Sequence, residues 1–200
     1  MRDAIEACER AGRTQGLAAG LALALDGAGA DAAPGRLAAL PSDAVPPGAT
    51  LVTHRLAARE GVSFVRRTTR RALPEEERTR LAARLAALRL GTTRGLRDRV
   101  VAHLAARVSG GEPTLRKQLV QGALADAQVT VETVRRTLLV AGDLTGTVVE
   151  CHHRLTELDW ELTKLLGASG YAGPGAARTA FVARLTANCW LPGKVASWRG

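Results

Sequence analysis

The sequence predicts a mainly α-helical protein, a four-helix bundle preceded by a short irregular N-terminal region. Aromatic residues make up only 3% of the 200 residues, so the core must be built from Ala, Leu and Val, which favours closely packed helices. After residue 75, apolar residues recur at helical spacing over long segments. Short connections rich in glycine and proline separate these segments, as is typical of antiparallel bundles.

The composition limits the class of protein. Hydrophobic residues at 46% and charged residues at 24% indicate a globular chain, and no uncharged apolar stretch reaches the ~18 residues of a membrane-spanning helix. Cys8, Cys151 and Cys189 share no disulfide or metal spacing and are predicted to be free thiols. The first residues mix acids with arginines, unlike a secretory signal. We therefore expect a cytoplasmic protein.

The formal net charge of +9 raises the question of nucleic-acid binding. Only three of the 28 basic residues are lysines, and such an arginine excess in an Ala-, Gly- and Leu-rich chain indicates high-GC coding. The one dense basic run, residues 66–71, is followed closely by three glutamates at 75–77. The other arginines are scattered rather than aligned on one helix face, which disfavours a nucleic-acid-binding function.

The first 75 residues carry weak structural patterns. Residues 2–25 predict one helix, although its three glycines weaken it. Residues 26–49 are rich in Gly, Ala, Asp and Pro and predict a loop or linker. Residues 50–53 and 62–65 predict two short strands, which are too few to be stable without support from the rest of the chain. We divide the chain into residues 1–75 and a bundle over residues 76–200.

The bundle helices are predicted from their apolar spacing and their ends. Pro74 suits the first helical position, and the glutamates after it favour the positive end of the helix dipole. The pattern predicts one buried face on each helix, and on the second it includes Leu115, Leu119 and Ala123. The predicted helices cover residues 74–108, 114–141, 144–166 and a shorter segment that contains Phe181 and ends before Pro192.

A metal site is disfavoured. Glu150 and His153 have the Glu-x-x-His spacing used by di-iron carboxylate bundles, but a complete site needs a second such motif, and the sequence has none. The pair is better interpreted as the exposed start of a helix, where His153 and Glu157 lie one turn apart. The sequence also lacks a phosphate-binding loop and a nucleophile elbow.

Several segments together resemble the C-terminal helical domain of acyl-CoA dehydrogenases. Residues 107–113 read Arg-Val-Ser-Gly-Gly-Glu-Pro, where that family typically has Arg-Val-x-Phe-Gly-x-Pro. Residues 118–121 (Gln-Leu-Val-Gln) and 124–126 (Leu-Ala-Asp) follow at the family's spacing, and residues 167–171 (Gly-Ala-Ser-Gly-Tyr) stand for its Gly-Gly-x-Gly-Tyr turn. Residues 153–170 look like the variant found in homologues from actinomycete polyketide clusters.

The resemblance implies a flavin shared with a partner. In the family, FAD lies between a β-domain and this bundle and contacts the arginine motif of the neighbouring subunit. The cofactor-binding residues so implied are Arg107, Gln118, Gly167 and Ala168. Residues 1–75 are too short for the family's N-terminal helical and β-domains and correspond at most to a remnant of the β-domain. We therefore expect no flavin on this chain alone.

The resemblance also bears on catalysis. Many family members use a glutamate just after the last helix, in a Tyr-Glu-Gly context, where residues 189–193 here read Cys-Trp-Leu-Pro-Gly. Other members place the base on the first helix of this domain, where Asp98 is the candidate. An acid–base role needs a positioned group of suitable pKa, and Glu150, His152 and His153 are the further candidates.

Two functions remain open. The first is a truncated acyl-CoA dehydrogenase-like protein of polyketide metabolism, a flavin-lacking subunit or half-site partner that acts as a homodimer or as a heteromer with a full-length homologue. The second is a flavin-free enzyme that binds an acyl or polyketide thioester and promotes isomerisation, dehydration or cyclisation. Asp159, Ser169 and Tyr171 join its candidate residues. A cavity within the bundle lined by two or more of the candidates would favour the second.

Overall fold

A computed structural model describes residues 1–168, 170 and 175–191, and it confirms the mainly α architecture. No helix in these ranges is long and apolar enough to cross a membrane. The α-helices are α1 (Arg2–Thr14), α2 (Leu17–Leu25), α3 (Arg55–Ala58), α4 (Glu75–Ala106), α5 (Gln118–Ala141), α6 (Thr145–Leu165) and α7 (Ala176–Asn188). The strands are β1 (Leu37–Pro41), β2 (Leu51–Val52), β3 (Val62–Arg66), β4 (Val108–Ser109) and β5 (Glu112–Pro113).

Helix α4 is the centre of the molecule. Its 32 residues span about 48 Å, and it contacts α1, α2, α5, α6 and α7. From Leu81 to Thr93 every residue except Arg84 is buried. The prediction of a single buried face was wrong here, because α1 and α2 cover the side that the bundle leaves open.

The bundle helices alternate in direction. Thr79 near the start of α4 and Thr145 at the start of α6 join their hydroxyls at 2.7 Å, so these two helices begin at the same end of the bundle. Helix α5 returns between them and is joined to α6 by only three residues. Because α4 and α6 run parallel, the loops that follow them both lie towards the opposite end of the bundle. We term residues 107–126 and 166–168 the distal end.

Residues 2–25 form two helices, α1 and α2, rather than the single helix predicted. Gly16 has a φ of +94°, a left-handed backbone that turns the chain between α1 and α2. Helix α1 then lies along α4 so closely that a Cβ added at Gly91 would overlap the carbonyl oxygen of Glu9. Backbone-to-backbone packing of this kind requires glycine at the contact.

The three-stranded sheet has the order β1-β3-β2 with both pairs antiparallel. The predicted strands are found as β2 and β3, whereas β1 lies in the segment predicted to be a linker. Its local composition indicates a loop, but pairing with β3 makes it a strand with Ala38 and Ala39 fully buried. Trp190, just after α7, donates its Nε1–H to the carbonyl of Ala39 at 3.0 Å. The sheet thus packs on the bundle; the division at residue 75 stays a prediction.

Candidate functional site

A buried charged cluster joins α4 to α6 at the centre of the bundle. The Arg89 side chain, only 1% exposed, points at α6. Its Nη1 donates to the carbonyl of His152 at 2.9 Å, and its Nη2 to the hydroxyl of Thr156 at 3.0 Å and to Asp159 Oδ2 at 3.4 Å. The hydroxyl of Thr93 donates to Asp159 Oδ1 at 2.6 Å. The aspartate and the guanidinium thus form a buried ion pair, although Arg89 Nε has no hydrogen-bond partner among the described residues.

His152, a candidate catalytic residue, is part of this cluster. Its Nε2 is 3.1 Å from the carbonyl oxygen of Ala82 and must donate there, so its Nδ1 accepts from Arg89 Nη1 at 3.2 Å. Burial, with the nearby charge of Arg89, lowers the pKa of His152 to about 3. Burial likewise raises the pKa of Asp159, against the opposing charge of Arg89. The imidazole is a neutral structural group whose two nitrogens are both engaged.

Glu150 and His153 lie away from the cluster on the exposed side of α6. Glu150 accepts from Arg154 Nε at 2.8 Å, a pair one turn apart that faces solvent. The described ranges contain no group of three or more His, Cys, Asp or Glu side chains placed to hold a metal ion. The residues of the Glu-x-x-His motif and the neighbouring His152 therefore do not converge on one site.

Asp98 sits in a surface ion-pair network between α1 and α4. It accepts from Arg13 Nη2 at 2.7 Å and from Arg97 Nη2 at 3.1 Å. Next to it runs a groove of about 460 Å³ between α1, α4 and α5, which the sequence analysis missed because its walls come from three distant segments. The groove is lined by Glu6, Glu9, Arg10, Arg13, Thr14, Arg94, Glu132 and Arg135.

The carboxylates of this groove already have partners. Glu9 accepts hydrogen bonds from Arg94 Nη1 at 2.6 Å and from Arg135 Nε at 3.1 Å. Glu6 accepts one from Arg135 Nη2 at 3.3 Å. The groove is thus an inter-helix salt-bridge network that fastens α1 to the bundle. None of the predicted catalytic residues lines it.

The four residues predicted to bind a cofactor lie at the distal end. Arg107 follows α4, Gln118 begins α5, and Gly167 and Ala168 follow α6. The side chains of Arg107 and Gln118 are exposed. Gly167 has a φ of +58°, which favours glycine at that turn. The topology places them towards the same end of the bundle, and their binding role stays a prediction.

The distal end also exposes apolar side chains. Leu119 is 89% exposed and Val108, on the β4–β5 hairpin, is 65% exposed. The prediction that Leu119 and Ala123 belong to the buried face of α5 was wrong, because burial on α5 begins only at Ala127. The start of the helix is covered only on the side of Val120 and Leu124, which are half-buried against the core.

The remaining candidate positions lie after α6 and after α7. Ser169 and Tyr171 fall outside the described residues. Trp190 and Leu191, at the place where the resemblance puts a catalytic glutamate, are buried and apolar. Burial raises the pKa of the Cys189 thiol to about 11, so that it remains protonated near neutral pH.

No protein-family model and no curated protein matches the chain, but solved acyl-CoA dehydrogenase structures share its fold. The Tcur3481-Tcur3483 steroid acyl-CoA dehydrogenase matches at 21% identity and a TM-score of 0.57, over 75% of this chain and 46% of that chain. FkbI, for biosynthesis of the methoxymalonyl extender unit of the polyketide Fk520, matches at 20% identity and a TM-score of 0.53, over 73% of this chain and 49% of that chain. The ChsE4-ChsE5 complex from Mycobacterium tuberculosis matches at 18% identity and a TM-score of 0.53, over 71% of this chain and 44% of that chain. The chain spans about half of the length of these structures.

Proposed function

We propose that this chain is an acyl-CoA dehydrogenase-like subunit whose distal end docks on a complete homologue, which supplies the β-domain and the FAD. The observation that carries the proposal is the contrast between a closed core and a distal end where Leu119 and Val108 are uncovered. Apolar side chains exposed together mark protein interfaces. A second helical bundle seated on this end would bury them.

The match to the ChsE4-ChsE5 complex supports a heteromeric partner, since that structure is an assembly of two different components. The match to FkbI supports a place in polyketide metabolism. Cys8, Cys151 and Cys189 are free thiols, in keeping with the cytoplasm as the compartment. These assignments are parts of the same proposal.

The side chains of the distal end suit the phosphates of a dinucleotide. Arg107, Arg116 and Lys117 supply positive charge, and Glu112 is the acidic residue among them. Gln118 adds an amide at the first turn of α5, where backbone N–H groups also favour anions. We infer that Arg107 and Gln118 hold the pyrophosphate of the partner's FAD. When bound, the flavin would supply hydride acceptance from an acyl thioester.

The flavin-free alternative gains no support from the described residues. It requires a cavity in the bundle lined by at least two catalytic candidates. His152 and Asp159 instead complete a packed cluster, while Glu150 and His153 face solvent.

The test is to purify the chain alone and with a full-length homologue encoded in the same genome, and to record light scattering and flavin absorbance across each size-exclusion peak. We expect a colourless protein alone and a yellow heteromer in the mixture. Leu119→Gln should weaken the heteromer, whereas Leu56→Gln, on α3, should not, although Leu56 is also exposed.

The cofactor role has its own variant. Arg107→Gln should leave the heteromer intact but weaken FAD retention by about tenfold, the typical value of one charge-assisted hydrogen bond. A chain that binds flavin by itself would refute the proposal. The proposal would also be refuted if the heteromer were as stable with Leu119→Gln as it is with Arg107→Gln.

A further inference from the structure

The end of the three-stranded sheet gathers arginines that lack acidic partners. Residues 36–71 contain seven arginines against two acidic residues, Asp43 and Glu60. Glu60 is engaged by Arg178 of α7 at 2.5 Å, and Arg71 reaches Asp31 at 3.6 Å. Apart from Arg71, these arginines make no ion pair with any residue that the structure describes, and Arg36, Arg66, Arg67 and Arg70 are four of them.

The strand register forces two of these positive charges together. Leu37 pairs with Arg66, and one step further the N–H of Arg67 donates to the carbonyl of Arg36 at 2.9 Å. Arg36 and Arg67 therefore stand opposite each other on antiparallel strands, an arrangement that destabilises a sheet when the charges are alike. Arg67 is half-buried, and its Nη1 is enclosed without an acceptor among the described residues. An external anion would relieve both costs.

We propose that Arg36, Arg67 and Arg70, the arginine surface, dock a carboxylate-rich face of a partner protein. Guanidinium groups pair with carboxylates through two parallel hydrogen bonds, which gives geometry as well as attraction. Such a face would supply acceptors for the free donor of Arg67 and would neutralise the three uncompensated charges.

Leu51 distinguishes a protein partner from a nucleic acid. It lies on the edge strand β2 opposite Val65, the residue before Arg66, and its side chain is 55% exposed. Arginines beside an apolar side chain are typical of protein interfaces. A phosphate backbone has no apolar group to cover Leu51, so an acidic protein fits this surface better.

The arginine surface and the distal end are separate. Four residues lie between Arg70 and Glu75, the first residue of α4, whereas the distal end begins just after the last residue of the same helix. The helix spans about 48 Å, so two partners can bind together. The inference therefore stands whether or not the proposed function holds.

The test measures binding of the full chain to poly-L-glutamate and to a DNA duplex of equal charge, by fluorescence anisotropy at about 50 and about 200 mM salt. We expect poly-L-glutamate to bind the more tightly and to raise the melting temperature. The double variant Arg36→Gln/Arg67→Gln should lose about tenfold in affinity, as for close charge pairs at interfaces. Arg99→Gln/Arg136→Gln removes the same charge from exposed positions on α4 and α5 and should change affinity by less than about twofold.

Two further measurements separate a loss of binding from a loss of folding. Without ligand, Arg36→Gln/Arg67→Gln should melt no lower than the parent, because it removes repulsion. If it unfolds, Arg70→Gln alone, at an exposed position after the sheet, should still reduce affinity, by about threefold. Tighter binding of DNA, no binding to poly-L-glutamate at the lower salt, or equal losses in the control variant would each overturn the proposal.

Discussion

The middle of α4 and its C-terminal end differ although they belong to one continuous helix. Between Leu81 and Thr93 it is enclosed by α1, α2, α6 and α7, and even an arginine is buried there. After Leu104 its last residues are exposed, as are most residues of the hairpin and of the first turns of α5. Both segments carry apolar residues at helical spacing. The number of neighbouring elements, rather than the periodicity, decides which apolar residues become core.

The largest effect should come from the enclosed middle of α4. Arg89→Met keeps the bulk of the side chain but removes the cation that pairs with the buried Asp159, and breaking a buried pair typically costs about 3–5 kcal/mol of unfolding free energy. Urea denaturation followed by circular dichroism measures the loss. Arg154→Met breaks the exposed pair with Glu150 and should leave the urea midpoint unchanged. Similar shifts for the two variants would show that the cluster is not a buried pair.

The contact between α1 and α4 should be next in size. Gly91→Ala would push a Cβ into the carbonyl oxygen of Glu9, and such overpacking typically costs about 1–3 kcal/mol. Gly95→Ala, one turn later on the same helix, meets no atom within 4 Å and should stabilise by about 0.5–1 kcal/mol. The two urea midpoints should therefore move in opposite directions. A stabilising Gly91→Ala would contradict the close approach of the helices.

The buried imidazole should make stability depend on pH. The pKa of His152 is about 3 in the folded chain and 6.5 for an ordinary histidine, so between these values the unfolded chain binds one more proton. The contribution of His152 is thus complete above pH ~6.5 and falls on acidification, by up to about 1.4 kcal/mol per pH unit. His152→Gln should flatten the curve of unfolding free energy against pH over this window. His153→Gln, at its exposed neighbour, should leave the slope unchanged.

The smallest effect on stability should be at the distal end. Leu119→Gln removes an apolar side chain that no described residue covers, so the unfolding free energy of the isolated chain should change by less than about 0.5 kcal/mol. Leu104→Gln, buried at the last turns of α4, is the matched comparison and should cost several times more. A large loss from Leu119→Gln in the isolated chain would mean that the distal end is already covered.

The candidate site could be predicted only as residues, not as an arrangement. Short motifs indicated Arg107, Gln118 and Gly167, and the bundle topology brings them to one end. His152 and Asp159 were also singled out from sequence, but their partner Arg89 lies more than 60 residues earlier, and no local pattern connects them. The groove network of Glu9, Arg94 and Arg135 likewise joins three distant segments. Side chains alone do not indicate which charges will be desolvated together.

The helical class, the bundle and most helix ends could be predicted from local sequence patterns, because proline, glycine and apolar spacing act within a few residues. Pro74 precedes α4, as the fixed φ of proline favours, and Gly142 follows α5. Long-range packing is what makes residues 37–41 a strand, encloses α4 and leaves Leu119 exposed. Strand pairing and burial depend on elements far along the chain, and the free energy of covering an apolar residue exists only once a neighbour is in place.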